Sequence, residues 1–186
     1  YSYAMVPIKV LVPSGVLGLG FDLEALKHGI ENNPDIISID GGSTDSGPFS
    51  LGSGTSKYSR SAIKAEWKSL MIAREKANVP LVIGSCGTCG TNGMVDWMEN
   101  ITIELAEELD QHLKIAKLYC DQEKNYIKEN YKLNKILSLN PAPKLNNTVI
   151  DEMTNIVALA GAEQIQECIN TGADIILAGR TTDTAI

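Results

Sequence analysis

Short apolar runs that each open into a loop of small residues and then into a helical pattern recur along this chain, and that alternation limits the folds available to it. The clearest instance is Pro80-Leu81-Val82-Ile83-Gly84, followed by Ser85-Cys86-Gly87-Thr88-Cys89-Gly90 and a helical pattern from about Met94. An apolar run bounded by Pro and Gly suits a strand buried on both faces. Similar runs occur at 8–12, 36–39, 115–119, 156–160 and 174–178, giving about six candidate strands. Between them, Asp22 is placed to cap a helix carrying Leu23, Leu26 and Ile30 on one face. Further helical patterns cover 59–77, 94–113, 122–137 and 161–170, with a short helical turn at 148–153. Residues 40–56, rich in Gly and Ser, read as loop. Strands alternating with helices predict an α/β fold with a mostly parallel sheet in Rossmann-like layers.

One domain spanning 5–186 accounts for this length. Tyr1-Ser2-Tyr3-Ala4 reads as a remnant ahead of a start at Met5. The last strand, loop and helical opening at 174–186 read as a unit cut in half, so the expectation is the N-terminal part of a longer protein.

The net charge of −7, with 23 acidic residues spread along the chain, argues against nucleic acid and anionic membranes as partners, since both need a basic footprint. No apolar run approaches the roughly 18–20 residues of a membrane span. The four cysteines lack the dense spacing of a disulfide framework, which predicts a reducing, cytoplasmic setting.

In an open parallel sheet, ligands bind beyond the carboxyl ends of the strands. Loops 13–20, 40–48, 84–93, 120–123 and 179–183 would converge there. Backbone amides of Ser14, Gly15 and Gly18, and of Gly84, Ser85, Gly87 and Thr88, could form anion cradles. Arg180 is the only arginine in these loops, and its planar fork suits a carboxylate or phosphate. The competing reading is an ion pair to Asp183 or Asp45 that ties the rim together. Asp40 and Asp45 flank Ser43 and Thr44. Either a carboxylate serves as general base with the hydroxyls as ligand donors, or all four simply shape the turn. Asp121 and Glu123 read as helix-capping.

Cys86-Gly-Thr-Cys89 fits a C-x-x-C redox motif at a helix start, but small residues lining a tight loop explain it as well. No zinc spacing is present, and no metal site is expected. Gly15-x-x-Gly18-x-Gly20 inverts the dinucleotide fingerprint, and a P-loop lysine is missing. The motifs therefore leave the cofactor unspecified. Trp67 and Trp97 fall on apolar helix faces and read as core.

The segments 12–21 (VPSGVLGLGF), 39–48 (IDGGSTDSGP), 51–54 (LGSG) and 177–185 (LAGRTTDTA) resemble the N-terminal domain of the acyclic terpene utilisation (AtuA-like) family, in the right order from about Ile8 to the last residue. The family loop at 84–93 usually carries Ala and Ser where Cys86 and Cys89 stand here, which weakens a thiol mechanism further. The resemblance implies an enzyme, or half of one, in the breakdown of branched or terpenoid carboxylic acids or their acyl-CoA esters. The density of rim loops makes hydration, dehydration or isomerisation beside a carbonyl, of the hydro-lyase or isomerase type, the leading expectation for the chemistry. Asp40, Asp45 and Asp183 are then the candidate catalytic residues, and Ser43, Thr44, Arg180 and Thr181 join the glycine loops as ligand contacts. The expected partners are a small anionic or acyl-CoA ligand and either a second copy or a partner subunit. The alternative is a non-catalytic module that binds a small anion or regulates a catalytic subunit.

Overall fold

A computed structural model describes residues 6–43 and 47–186. Thr44 and Asp45, and the proposed remnant at 1–4, lie outside the described residues.

Five strands form one sheet in which every pairing is parallel: β1 (Val10–Leu11), β2 (Ile36–Asp40), β3 (Leu81–Gly84), β4 (Ile115–Leu118) and β5 (Ile175–Ala178). Their order is β1-β2-β3-β5-β4. The crossovers up to β4 advance in one direction across the sheet, and only β4 to β5 steps back. Right-handed crossovers therefore put the intervening helices on opposite faces. Helices α1 (Leu23–Glu31), α3 (Arg60–Ala77) and α4 (Asn92–Leu109) cover one face, and α7 (Ala162–Asn170) the other. Strand periodicity sorts the side chains accordingly. Ile37, Ile39, Leu81, Ile83, Ile175 and Leu177 join Trp67, Met98 and Ile101 in the larger core. Val82, Ile176 and Ala178 pack with Ile165 and Cys168 in the smaller one.

Helix boundaries follow local chemistry. The Asp22 carboxylate accepts from the amides of Glu24 and Ala25, Ser59 caps α3 through Ala62, and Thr91 caps α4 through Met94. The last two helices end on Asn78 and Asp110 in left-handed conformation, which these short polar side chains tolerate. Trp67 is fully buried as expected, its indole N–H donating to Thr102 Oγ1 at 2.9 Å. Trp97 packs half-buried against the same core.

Three expectations need correction. The sheet has five strands, not about six, because 156–160 makes no ladder. Its bonds run instead to loop residues beyond β4 and β5: Gln122 donates to Ile156, Ala158 to Cys120, and Ala160 to the Arg180 carbonyl. This segment is a strap across the carboxyl ends, and Leu159 on it is exposed. Second, the glycine-serine stretch contains a short helix, α2 (Phe49–Ser53), closed by Gly54. Third, the lysine-rich helix α5 is shorter than its pattern, Lys124–Lys132, and is followed by the single helical turn α6 (Asn147–Glu152). A 3-10 turn, Asp183–Ala185, ends the described chain.

Candidate functional site

Because every strand is parallel, the loops after β1, β2, β3, β4 and β5 all leave one edge of the sheet. They are packed against one another through backbone. The Gly41 amide donates to the Gly84 carbonyl at 2.7 Å, and Ser85 and Cys86 donate to Gly179 and Ala178. A Cβ on Gly41 would lie 2.3 Å from the Ser85 carbonyl oxygen, and one on Gly90 would lie 2.5 Å from the Arg180 nitrogen. The scarcity of side-chain bulk here is thus a packing requirement between loops. Gly84 ends β3 and Gly87 lies against Met94 for the same reason.

Some amides near the anticipated anion cradles are taken up by the protein's own carboxylates. The amides of Gly18 and Gly20 donate to the Glu66 carboxylate at 2.6 and 2.7 Å. At the start of α4, the Asn92 amide donates to the Asp121 carboxylate at 3.0 Å, while Asn92 Oδ1 accepts from Cys120 and Asp121. In the 84–90 loop, the amides of Ser85, Cys86, Cys89 and Gly90 are spent on internal carbonyls.

Arg180 remains. The chain has three arginines. Arg60 pairs with Glu104, and the buried Arg74 pairs with Asp174. Arg180, 8% exposed, has no carboxylate within ion-pair distance among the described residues. Its Nη1 donates only to the carbonyls of Gly42 and Thr88, at 3.2 and 3.0 Å. The rim-tying ion pair to Asp183 is therefore not made. A guanidinium held this way lines a small hollow of about 20 Å³ with Ser43, Gly47, Ser50, Leu51, Thr88 and Cys89. Thr88 itself has φ +69°, a strained setting for a β-branched residue. Its hydroxyl accepts from the Lys57 amide.

Four other predicted residues among those described line a separate hollow. Ser14, Gly15, Asp40 and Asp183 line a second hollow of about 220 Å³ with Val12, Ser38, Ile39 and Ile186. Gly42 stands between the two groups. Its amide donates to Asp40 Oδ1 at 2.9 Å, and its carbonyl receives Arg180. Burial raises the Asp40 carboxyl above its ordinary value, opposed by the Gly42 amide; nearby Asp183 adds to the rise and Arg180 opposes it. Thr181 is buried under the rim, its amide donating to Ser85 Oγ at 3.3 Å.

The setting of the cysteine pair disfavours thiolate chemistry at Cys86. Cys86 and Cys89 are buried and unbridged, and burial pushes the Cys86 thiol far up, which disfavours the reactive thiolate.

Residues 50–186 match the family described as acyclic terpene utilisation family protein AtuA. The chain belongs to that family. The match includes the Arg180 loop and the strap, and begins after the Asp40–Asp45 segment. No curated protein and no solved structure matches the chain. No helix among the described residues is long and apolar enough to cross a membrane.

Two residues that touch the rim of this AtuA-family chain escaped the sequence reading. Glu66 lies inside an unremarkable helix, and only the fold brings it to Gly18 and Gly20. Ser38 interrupts the apolar run of β2, and that interruption was the available signal.

Proposed function

We infer that this chain grips a small branched carboxylic acid, or the acid end of its acyl-CoA derivative, for a reaction beside the carbonyl in acyclic terpene utilisation. One observation carries the reading: Arg180 is a buried cation without a carboxylate partner among the described residues, whereas Arg74, equally buried, has one. A buried charge is costly unless paired. A ligand carboxylate supplies the missing partner, and the fixed fork of the guanidinium gives it direction. Thr88 and Ser43 stand beside it. Hydration, dehydration or isomerisation is the proposed chemistry, with Asp40 and Asp183 as the carboxylates nearest the reacting end.

Replacing Arg180 with Gln removes a charge-assisted hydrogen bond of about 1.5–3 kcal/mol, or about 10- to 150-fold in affinity. The probe is 3-methylbut-2-enoate, with its uncharged amide as control, titrated calorimetrically into the whole chain. The acid should bind better than the amide, and the preference should vanish in Arg180→Gln. Equal affinity of the variant and the parent for the acid would overturn the reading.

A further inference from the structure

The hollow at Arg180 is too small for the group that the carboxylate reading puts there. Its roughly 20 Å³ has room for a water but not for a carboxylate, so a bound acid needs one wall to move. One wall is made by Arg180, Thr88 and Cys89, all three at least nine-tenths buried. They belong to loops knit together by backbone bonds, such as that from the Cys86 amide to the Ala178 carbonyl. Another wall is Ser50 and Leu51 of helix α2, and that helix is built differently. None of its residues is buried, and Phe49 at its start is 77% exposed. Gly47 and Gly54, which bracket it, have φ of +89° and +67°, a conformation that glycine enters without steric cost. Among the described residues, two hydrogen bonds tie α2 to a distant part of the chain. Thr154 Oγ1 donates to the Gly52 carbonyl at 2.8 Å, and Asn155 Nδ2 donates to the Leu51 carbonyl at 2.7 Å. Both carbonyls lie in the last turn, where a helix runs short of its own donors.

We propose that α2 is a lid over Arg180, turning on Gly47 and Gly54 and latched by Thr154 and Asn155, and that an acid reaches the guanidinium only when the latch is released. The ligand in this proposal rests on the carboxylate grip; the motion does not. Thr154 and Asn155 lead into the strap at 156–160, and Ala160 on that strap donates to the Arg180 carbonyl. Strap and rim are therefore the fixed side, and α2 is the side that moves. A segment that buries little and is held by few hydrogen bonds opens at low free-energy cost, and residues at its two ends absorb the change in backbone angles. Closing α2 again over a bound acid excludes water, which strengthens the attraction between its carboxylate and the guanidinium.

Cys89 lines the hollow and is 3% exposed, so its labelling reports the opening of the lid. The whole chain, reduced and without acid, is treated with iodoacetamide at about pH 8, where an ordinary thiol reacts. Tandem mass spectrometry then follows the label at each cysteine. Asn155→Ala and Thr154→Val each remove one latch bond, and each should speed labelling of Cys89 about 2- to 10-fold. Cys86, fully buried in the larger core, should keep the parent rate in both variants. Unchanged labelling of Cys89 in both would overturn the proposal. A Cys86 rate that rises in step with Cys89 would overturn it too, since the 84–90 loop itself would then be opening. In the parent chain, 3-methylbut-2-enoate should slow labelling of Cys89. Faster labelling in the latch variants with no protection by the acid would support the lid and overturn the carboxylate grip.

Discussion

Glu66 offers a quantitative test of how the glycine loop after β1 is used. Its carboxylate receives two amide hydrogen bonds, from Gly18 at 2.6 Å and Gly20 at 2.7 Å, and fixes a loop whose Leu17 is fully buried in the core. Hydrogen bonds to a charged group are worth about 1.5–3 kcal/mol each when well buried. These are partly exposed, and Glu66→Gln keeps one acceptor oxygen while turning an amide donor toward the other N–H. The net loss should be about 2 kcal/mol. For a chain of this length, each kcal/mol moves the midpoint by about 2–4 °C, so the melting temperature should fall by about 4–8 °C in differential scanning calorimetry. Glu66→Ala empties the cradle, and added formate should then recover part of the loss by occupying the freed amides. A change below about 1 °C in Glu66→Gln, with no formate effect in Glu66→Ala, would refute the argument and return the loop to the list of open anion sites.

Thr102→Val should destabilise the chain by about 1–3 kcal/mol in urea unfolding, because it leaves the buried Trp67 indole N–H without an acceptor. In the folded chain Cys86 should resist a thiol reagent such as DTNB at about pH 8, where an ordinary thiol reacts, and become reactive only on denaturation, because burial holds its thiol protonated. Acid should loosen the contact between α3 and α4. Hydrogen bonds from Lys64 and then Lys68 lower Glu108 from its ordinary 4.5 to about 2, so its contribution is complete above about 4.5 and is lost as pH falls toward about 2. Glu108→Gln should therefore flatten the stability-against-pH curve in that window and leave its shape unchanged above it.

Much of the fold was legible because the signals were local. Apolar runs ending in Gly marked β3 and β5, and Asp22 stood where a helix cap belongs. The failures came from tertiary placement. Residues 156–160 have the composition of a strand, but both neighbours of β5 are already taken by β3 and β4, so the segment lies across the rim and bonds to loops. Val10–Leu11 is shorter than its apolar run because it occupies an edge between Pro7 and Pro13. For the site, residue type pointed to Arg180, and the fold supplied its significance by leaving it without a carboxylate among the described residues. Glycine content alone does not separate close backbone packing, which the structure shows at Gly41 and Gly90, from anion binding. Glu66 takes the Gly18 amide of the first expected cradle, and Asp121 the Asn92 amide at the start of α4, through contacts 46 to 48 residues apart for Glu66 and 29 for Asp121. Nor does spacing show that Asp40 and Asp183 face one hollow while Arg180 faces another.

The most direct test follows the Arg180 guanidinium itself. In a nitrogen-15 spectrum of arginine side chains, three Nε signals are expected, and those of Arg60 and Arg74 report residues already paired with carboxylates. Titration with 3-methylbut-2-enoate should shift the Arg180 signal saturably and leave the other two in place. An Arg180 signal that stays fixed while the acid binds, or that moves no more than its two neighbours, would contradict the account.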